Sequence, residues 1–301
     1  MTFLTKRNYS SVIPAKAGIH HLADMDSRLC GNDGTLKDER LPPNIRTEVA
    51  LMQRDELVRY LDWYLRIPET PDYGPQGLQV EGADEISRVA FTVDSGLPCI
   101  EAALKVNAQM LIVHHGIFWG AQEPIRGAFG HKVRRLLETN LSLYAAHLAL
   151  DAHPELGNNV ELARLLELQV ETWFCNAKGT DIGVICNVHD GFLVEAIADI
   201  LGSKLSCETT LLQHGPLKSR RIAIVSGDAA SHIGEAAALG ADTFITGETS
   251  HAHHYAAIEH GMNVIYAGHY ATETVGLKAL GRHINGRYGL ETVFIDLPTN
   301  L

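Results

Sequence analysis

The sequence has no C-x-x-C pair, no glycine pattern of the P-loop kind, no excess of positive charge and no long apolar run. Each absence excludes a class. Five scattered cysteines, Cys30, Cys99, Cys175, Cys186 and Cys207, are odd in number and too far apart for a thiolate zinc site or a disulfide framework. They read as small buried hydrophobes in a reduced, cytoplasmic protein. A net charge of −11 leaves no broad electrostatic footprint for nucleic acid. No stretch reaches the roughly 18 to 20 apolar residues that span a bilayer. Without a Walker-type loop, nothing here cradles a phosphate in the manner of the common nucleotide-binding motifs. What the chain does have is histidine, 16 in 301 residues, and their placement carries more than their number.

Residues 1–51 read differently from the rest. The run 11–33, SVIPAKAGIHHLADMDSRLCGND, has neither helical nor strand periodicity and no apolar h-region of a secretory signal. It looks like the translation of a short palindromic repeat of the kind scattered between bacterial genes. The expectation is a disordered, functionally silent extension upstream of a true start at Met52, so the adjacent His20 and His21 are discounted as ligands.

From residue 52 helices and strands alternate, which predicts βαβ units and a largely parallel or mixed sheet, an α/β fold. A first α/β domain is expected over 52–168, with strands at 88–93, 110–113 and 141–146 and helices at 97–107, 131–139 and 158–166. The Pro- and Gly-punctuated stretch 68–82 reads as turns. A second α/β domain over 169–268 has strands at 170–174, 183–188, 206–211, 221–225, 243–246 and 263–266 and helices at 192–201, 233–239 and 251–260. Residues 269–301 supply a helix (272–285) and a strand (292–296) that can pack back on the first domain.

Three segments share one layout. KVNAQMLIVHHG, ALGADTFITGE and EHGMNVIYAGH each run from a helix end through an apolar strand to a polar tip. Ligands of open α/β sheets collect at strand carboxyl ends. The tips are His114 with His115, Glu248, and His269. Two adjacent imidazoles are hard to explain as packing, because each needs its own partners. Gly116 lets both turn to one side at the strand exit. In AHLALDAHPELGNN, Asp151 falls in a loop ahead of a helix capped by Asn158 or Asn159; alone it would read as a turn residue. His147 and Glu248 are candidates for partners that support ligands from behind, and His153, ahead of Pro154, reads as exposed. In AGHYATE, His269 and Glu273 are four apart at a helix start, hence on one face.

Three histidines and two carboxylates suit borderline divalent metals such as Zn, Fe, Mn, Co or Ni. Five ligands exceed the three or so that one four-coordinate catalytic zinc takes from protein. The expectation is therefore two ions per subunit, with a carboxylate between them. The rival cluster His251, His253, His254 and His260 offers no clean ligand pair, and Lys132, Arg134 and Arg135 share one helix; both groups read as solvated faces.

The motifs GPQGLQVEG, LIVHHGIFW, HLALDAHPELGNN, DTFITGE, AGHYATE and VFIDLP together resemble the family of GTP cyclohydrolase 1 type 2 homologues, or Nif-three-like proteins, in its short bacterial branch. The resemblance runs from residue 52 to 298. It implies two interlinked α/β domains and a homohexameric ring whose dinuclear metal sites face an internal cavity. Its ligands map onto His114, His115, Asp151, His269 and Glu273, with Glu273 as the bridge. It implies hydrolytic opening of the imidazole ring of GTP by water activated on the metals, hence a nucleotide substrate. The rival expectation is a metal-handling protein or ring scaffold with no catalysis. The extension 1–51 has no counterpart in the family.

Overall fold

The computed structural model describes residues 19–20, 50–121 and 123–299. The chain runs β1 (Ile19–His20), β2 (Met52–Gln53), α1 (Arg54–Tyr64), β3 (Gly77–Val80), β4 (Glu85–Ile86), β5 (Arg88–Asp94), α2 (Leu97–Lys105), β6 (Met110–His115), α3 (Gly127–Glu138), β7 (Ser142–Ala145), α4 (Leu148–Asp151) and α5 (Asn158–Leu165). It continues with β8 (Val170–Ala177), β9 (Thr180–Leu193), α6 (Val194–Leu205), β10 (Thr210–Leu212), β11 (Lys218–Ile224), α7 (Ile233–Ala238), β12 (Thr243–Thr246), α8 (His254–Glu259), β13 (Asn263–Tyr266), α9 (His269–Tyr288) and β14 (Glu291–Ile295). Apart from Ile19–His20, the expectations for residues 1–49 fall outside the described residues.

Two six-stranded mixed sheets carry the fold, in the orders β1-β14-β5-β6-β7-β3 and β10-β13-β12-β11-β9-β8. The centre of the first is parallel: β14, β5, β6 and β7 run together, while β3 and β1 flank them antiparallel. In the second, β11, β12 and β13 are parallel and the rest antiparallel. The central strands are apolar on both faces: Val89, Ala90, Phe91 and Val93 of β5 and Met110 to Val113 of β6 are all buried. That pattern belongs to a sheet covered by helices on both sides. Among the described residues no helix is long and apolar enough to cross a membrane.

Helix α9 ties the two sheets together. It starts at the carboxyl end of β13, packs on α5, β5 and β14, and delivers the chain into the first sheet, where β14 pairs with β5. Its residues from Tyr270 to Leu277 are all buried, the mark of a helix enclosed on every side. At its crossing with α5, Gly276 is held by Asn158, whose Oδ1 accepts the Gly276 N–H at 2.9 Å; a β-carbon at 276 would lie 2.6 Å from that oxygen.

Several boundaries differ from the sequence reading. The helix expected at 272–285 extends to His269–Tyr288, because Gly268 (φ 82°) turns the chain directly into it and Gly289 (φ 68°) closes it. Glu273 therefore lies in the second turn, and His269 starts the helix rather than ending a strand. The stretch read only as turns contains β3, an edge strand paired antiparallel with β7. The strand expected at 206–211 is only β10, since α6 runs on to Leu205.

Candidate metal centre

The carboxyl ends of β6, β7, β11, β12 and β13 converge, and the start of α9 closes over them. His114 and His115 are the last two residues of β6. His114 is fully buried, and its Nδ1 is 2.9 Å from the Ala146 carbonyl, so the Nδ1 proton is donated there and Nε2 faces inward. His115 is held in the same way, its Nδ1 2.9 Å from Asp94 Oδ1, and His269 likewise, its Nδ1 2.8 Å from Glu248 Oε2. All three imidazoles are thus oriented from behind with Nε2 turned to one point, the arrangement that supports metal-binding histidines.

Glu273 sits at that point, nearly fully buried. Its Oε1 is 3.1 Å from His269 Nε2 and 3.6 Å from His114 Nε2, and its Oε2 is 3.2 Å from His115 Nε2. Asp151 completes the group. Asn158 Nδ2 and Ser226 Oγ both donate to its Oδ1, at 2.8 and 3.1 Å, which leaves Oδ2 facing His114 Nε2 at 3.6 Å. Asp151 lies at the end of the short α4 and not in a loop: Asp72 and Gln76 accept the Leu148 and Ala149 N–H groups and so build that turn.

Charge explains how such a group holds together. Burial alone would lower the His114 pKa, yet the carboxylates of Asp151 and Glu273 outweigh it and raise it. Burial opposes His115 too, and its contacts with Asp94 and Glu273 still carry it up to about 10. The Glu273 contact is the main cause for His269, pushed up to about 9. Burial would raise Glu273, but the three imidazoles hold it well below the usual carboxylate range. Even so, His114 Nε2 and Glu273 Oε2 are buried with no hydrogen-bond partner. Buried polar atoms are seldom left so, and each such atom calls for an explanation. Once the inward Nε2 protons are displaced, nitrogen and carboxylate lone pairs would converge on a common point, so the donor set and the orphaned atoms suit a divalent metal.

The matching family model, Duf34/NIF3 (NGG1p interacting factor 3), spans residues 52–300. The chain belongs to this family. A Pyrococcus abyssi protein named GTP cyclohydrolase 1 type 2 homolog is 45% identical over 251 residues, 83% of this chain and 100% of that one. A Deinococcus radiodurans protein of the same name is 42% identical over 260 residues, 86% and 98% of the two chains. The crystal structure of TTHA1606 from Thermus thermophilus has a TM-score of 0.75 at 43% identity, covering 83% of this chain and all of that one. The family match begins where the foreign-looking extension ends, and the neighbouring fold is the expected α/β class.

His147 is nearer than the sequence suggested. One of its ring nitrogens lies within 4.8 Å of nitrogens of both His114 and His115. Its Nδ1 is held by Asp72, 2.9 and 3.1 Å from the two carboxylate oxygens, so Nε2 faces the cluster. Glu248 stands behind His269 as described. His153 is buried, not exposed: its ring packs against Tyr64 and its Nε2 donates to the Tyr64 carbonyl at 3.1 Å. His251, His253, His254 and His260 lie on or beside α8, outside the cluster. On α3, Arg135 is engaged by Glu101. Sequence reasoning missed Asp94 and Asp72. Asp94 ends β5 and obeys the same strand-tip rule; Asp72, in the turn-rich stretch, carries no signal of its own.

Gly227 provides a local test. Its φ is 68°, and a β-carbon there would fall on Glu273 Oε1 and 3.3 Å from His269 Nε2. Gly227→Ala is expected to weaken metal binding about tenfold or more while the protein stays folded, as for other displaced ligand supports. Chelator competition with circular dichroism checks it; wild-type affinity in a folded variant would refute the placement.

Proposed function

We propose that this chain holds two divalent metal ions and acts as a metal-dependent hydrolase of the GTP cyclohydrolase type that its relatives' names carry. The observation behind this reading is Glu273, set among three histidine nitrogens with its two oxygens turned to different ones. Oε1 approaches His114 and His269, Oε2 approaches His115, and Asp151 stands beside His114. When bound, divalent ions supply Lewis acidity and lower the pKa of water toward neutrality.

The chain's own residues do the rest. His114, Asp151 and Glu273 form the closed floor, while His115, His147 and His269 remain partly open to solvent. Asp72 keeps the proton on His147 Nδ1 and so turns Nε2 toward His114 and His115. Trp119 and Tyr73 frame the open side, their rings 5.0 and 6.5 Å from the His147 ring, and both are exposed. Lys178 Nζ lies 4.6 Å from the Tyr73 ring centre. Exposed aromatic faces beside a cation suit a planar, anionic substrate such as a nucleotide. A homohexameric ring belongs to the same proposal and is read by light scattering.

The test measures metal content and formate release from GTP with Mn, Fe, Co, Ni or Zn, beside His114→Ala and Glu273→Ala. About two ions per chain, as a two-metal site requires, and formate only from the parent protein are expected. Metals lost in the variants with no formate under any condition would keep the centre and remove the hydrolase, leaving metal handling.

A further inference from the structure

His147 leaves the exit of β7, beside the tip of β6, with which β7 pairs in parallel. The backbone of this exit already serves the centre, because the Ala146 carbonyl accepts the His114 Nδ1 proton. The residue after it is fixed at both ends. The His147 backbone N–H donates to Gln76 Oε1 at 3.0 Å, and its Nδ1 donates to Asp72, 2.9 and 3.1 Å from the two carboxylate oxygens. The Asp72 side chain is only 2% exposed and also accepts the Leu148 N–H at 3.0 Å. A neutral imidazole whose Nδ1 donates to a carboxylate has its tautomer and ring orientation set, with the Nε2 lone pair facing forward. Asp94 and Glu248 do this for His115 and His269, and Asp72 does it for His147.

A histidine that only supports ligands stands behind them and bonds to their outer nitrogens. Those places are filled: the Ala146 carbonyl takes His114 Nδ1 and Asp94 takes His115 Nδ1. His147 stands in front. Its ring centre is 4.8 Å from that of His114 and 5.7 Å from that of His115. One nitrogen from each of these three rings lies within 4.8 Å of the other two. His115, His269 and Glu273 make a second such group, so His115 is common to both. Once His114 and His115 turn their inward nitrogens to metal, neither offers the His147 Nε2 lone pair a proton. A cation at the same point satisfies it.

We infer that His147 is a sixth metal ligand, binding through Nε2 the ion that His114 and Asp151 also hold. This rests on the metal-centre reading and not on the hydrolase reading. It makes the His114 half richer in nitrogen than a single imidazole would. Imidazole suits Zn, Fe and Ni, whereas Mn is suited by carboxylate.

The experiment uses the full chain as parent, His147→Ala, His147→Gln and Asp72→Asn. Zinc and manganese are titrated separately against a chelator, and X-ray absorption at the zinc edge counts imidazoles per ion at saturating zinc. His147→Gln keeps an amide that can donate to Asp72, and circular dichroism of the metal-free proteins identifies the folded variants. In a folded His147 variant one of two zinc sites should weaken about a hundredfold or more, at or beyond the upper end for outer partners, while the other is unchanged. The manganese loss should stay below about tenfold. The imidazole signal per zinc should fall by about a quarter, since one ring of four is removed. Asp72→Asn, which loosens the ring without removing it, should weaken zinc about tenfold. An unchanged imidazole count in a folded His147 variant would place His147 on water near the ion and overturn the inference, as would unchanged zinc affinity or equal losses of zinc and manganese. A parent that binds no zinc would remove the centre itself, and the inference with it.

Discussion

Glu273→Gln is expected to lose metal from both halves of the centre, with affinity down about a hundredfold or more. Outer partners of ligands already account for about 10- to 100-fold, and Glu273 is closer than any of them. Its two oxygens approach three different imidazoles. Glutamine keeps the shape and removes the charge, so packing in α9 is preserved. The metal-free protein should also lose about 2 to 3 kcal/mol at neutral pH. That is less than the roughly 3–5 kcal/mol for orphaning a buried ion, because His115 and His269 are partly open and can shed their protons. Asp151→Asn is the control. Its free oxygen faces His114 alone, so one half of the centre should fail and the other load. Mass spectrometry of bound metal and urea unfolding read both effects. A glutamine variant that keeps two ions would show that Glu273 does not lie between them.

How much of this centre was legible in the sequence follows from where each partner comes from. His114 and His115 announce themselves, because an apolar strand runs straight into them. His269 and Glu273 share a helix face by spacing alone. Asp151 was readable only through the family pattern, since a lone aspartate ahead of a helix looks like a turn. The groups that orient the imidazoles were less visible. Asp72 reaches His147 across 75 residues and Asp94 reaches His115 across 21, and no local period marks such pairs. The βαβ alternation gave the fold class. The edge strand β3 stayed hidden, because four residues, GLQV, in a Pro- and Gly-rich stretch offer too short a pattern. His153 was misread because the proline after it suggests exposure, whereas the Tyr64 ring and carbonyl enclose it.

Metal loading should rise steeply with pH. In the metal-free protein His115 is carried up to about 10 and His269 up to about 9, so both hold a proton at neutrality. A metal needs their neutral nitrogens, hence it must displace those protons. With about two protons released, apparent affinity for the whole centre should grow about a hundredfold per pH unit until the histidines begin to titrate. The metal-free protein responds the other way. A histidine whose pKa is raised in the folded state adds stability that is complete below its ordinary 6.5 and disappears as the pH rises through about 9 and 10. Glu273, depressed, adds stability that is complete above its ordinary 4.5 and is lost as the pH falls through its lower folded value. The metal-free cluster is thus most stabilising in mildly acidic solution, where metal binds worst, and above neutrality bound metal takes over the role of the departing protons. Calorimetric titration of the metal-free protein with Mn or Zn, in buffers of different ionisation heat, counts the protons. Release of about two supports this exchange; release near zero at neutral pH would mean that the imidazoles are already neutral and that their pairing with Glu273 is not what holds the empty centre in place.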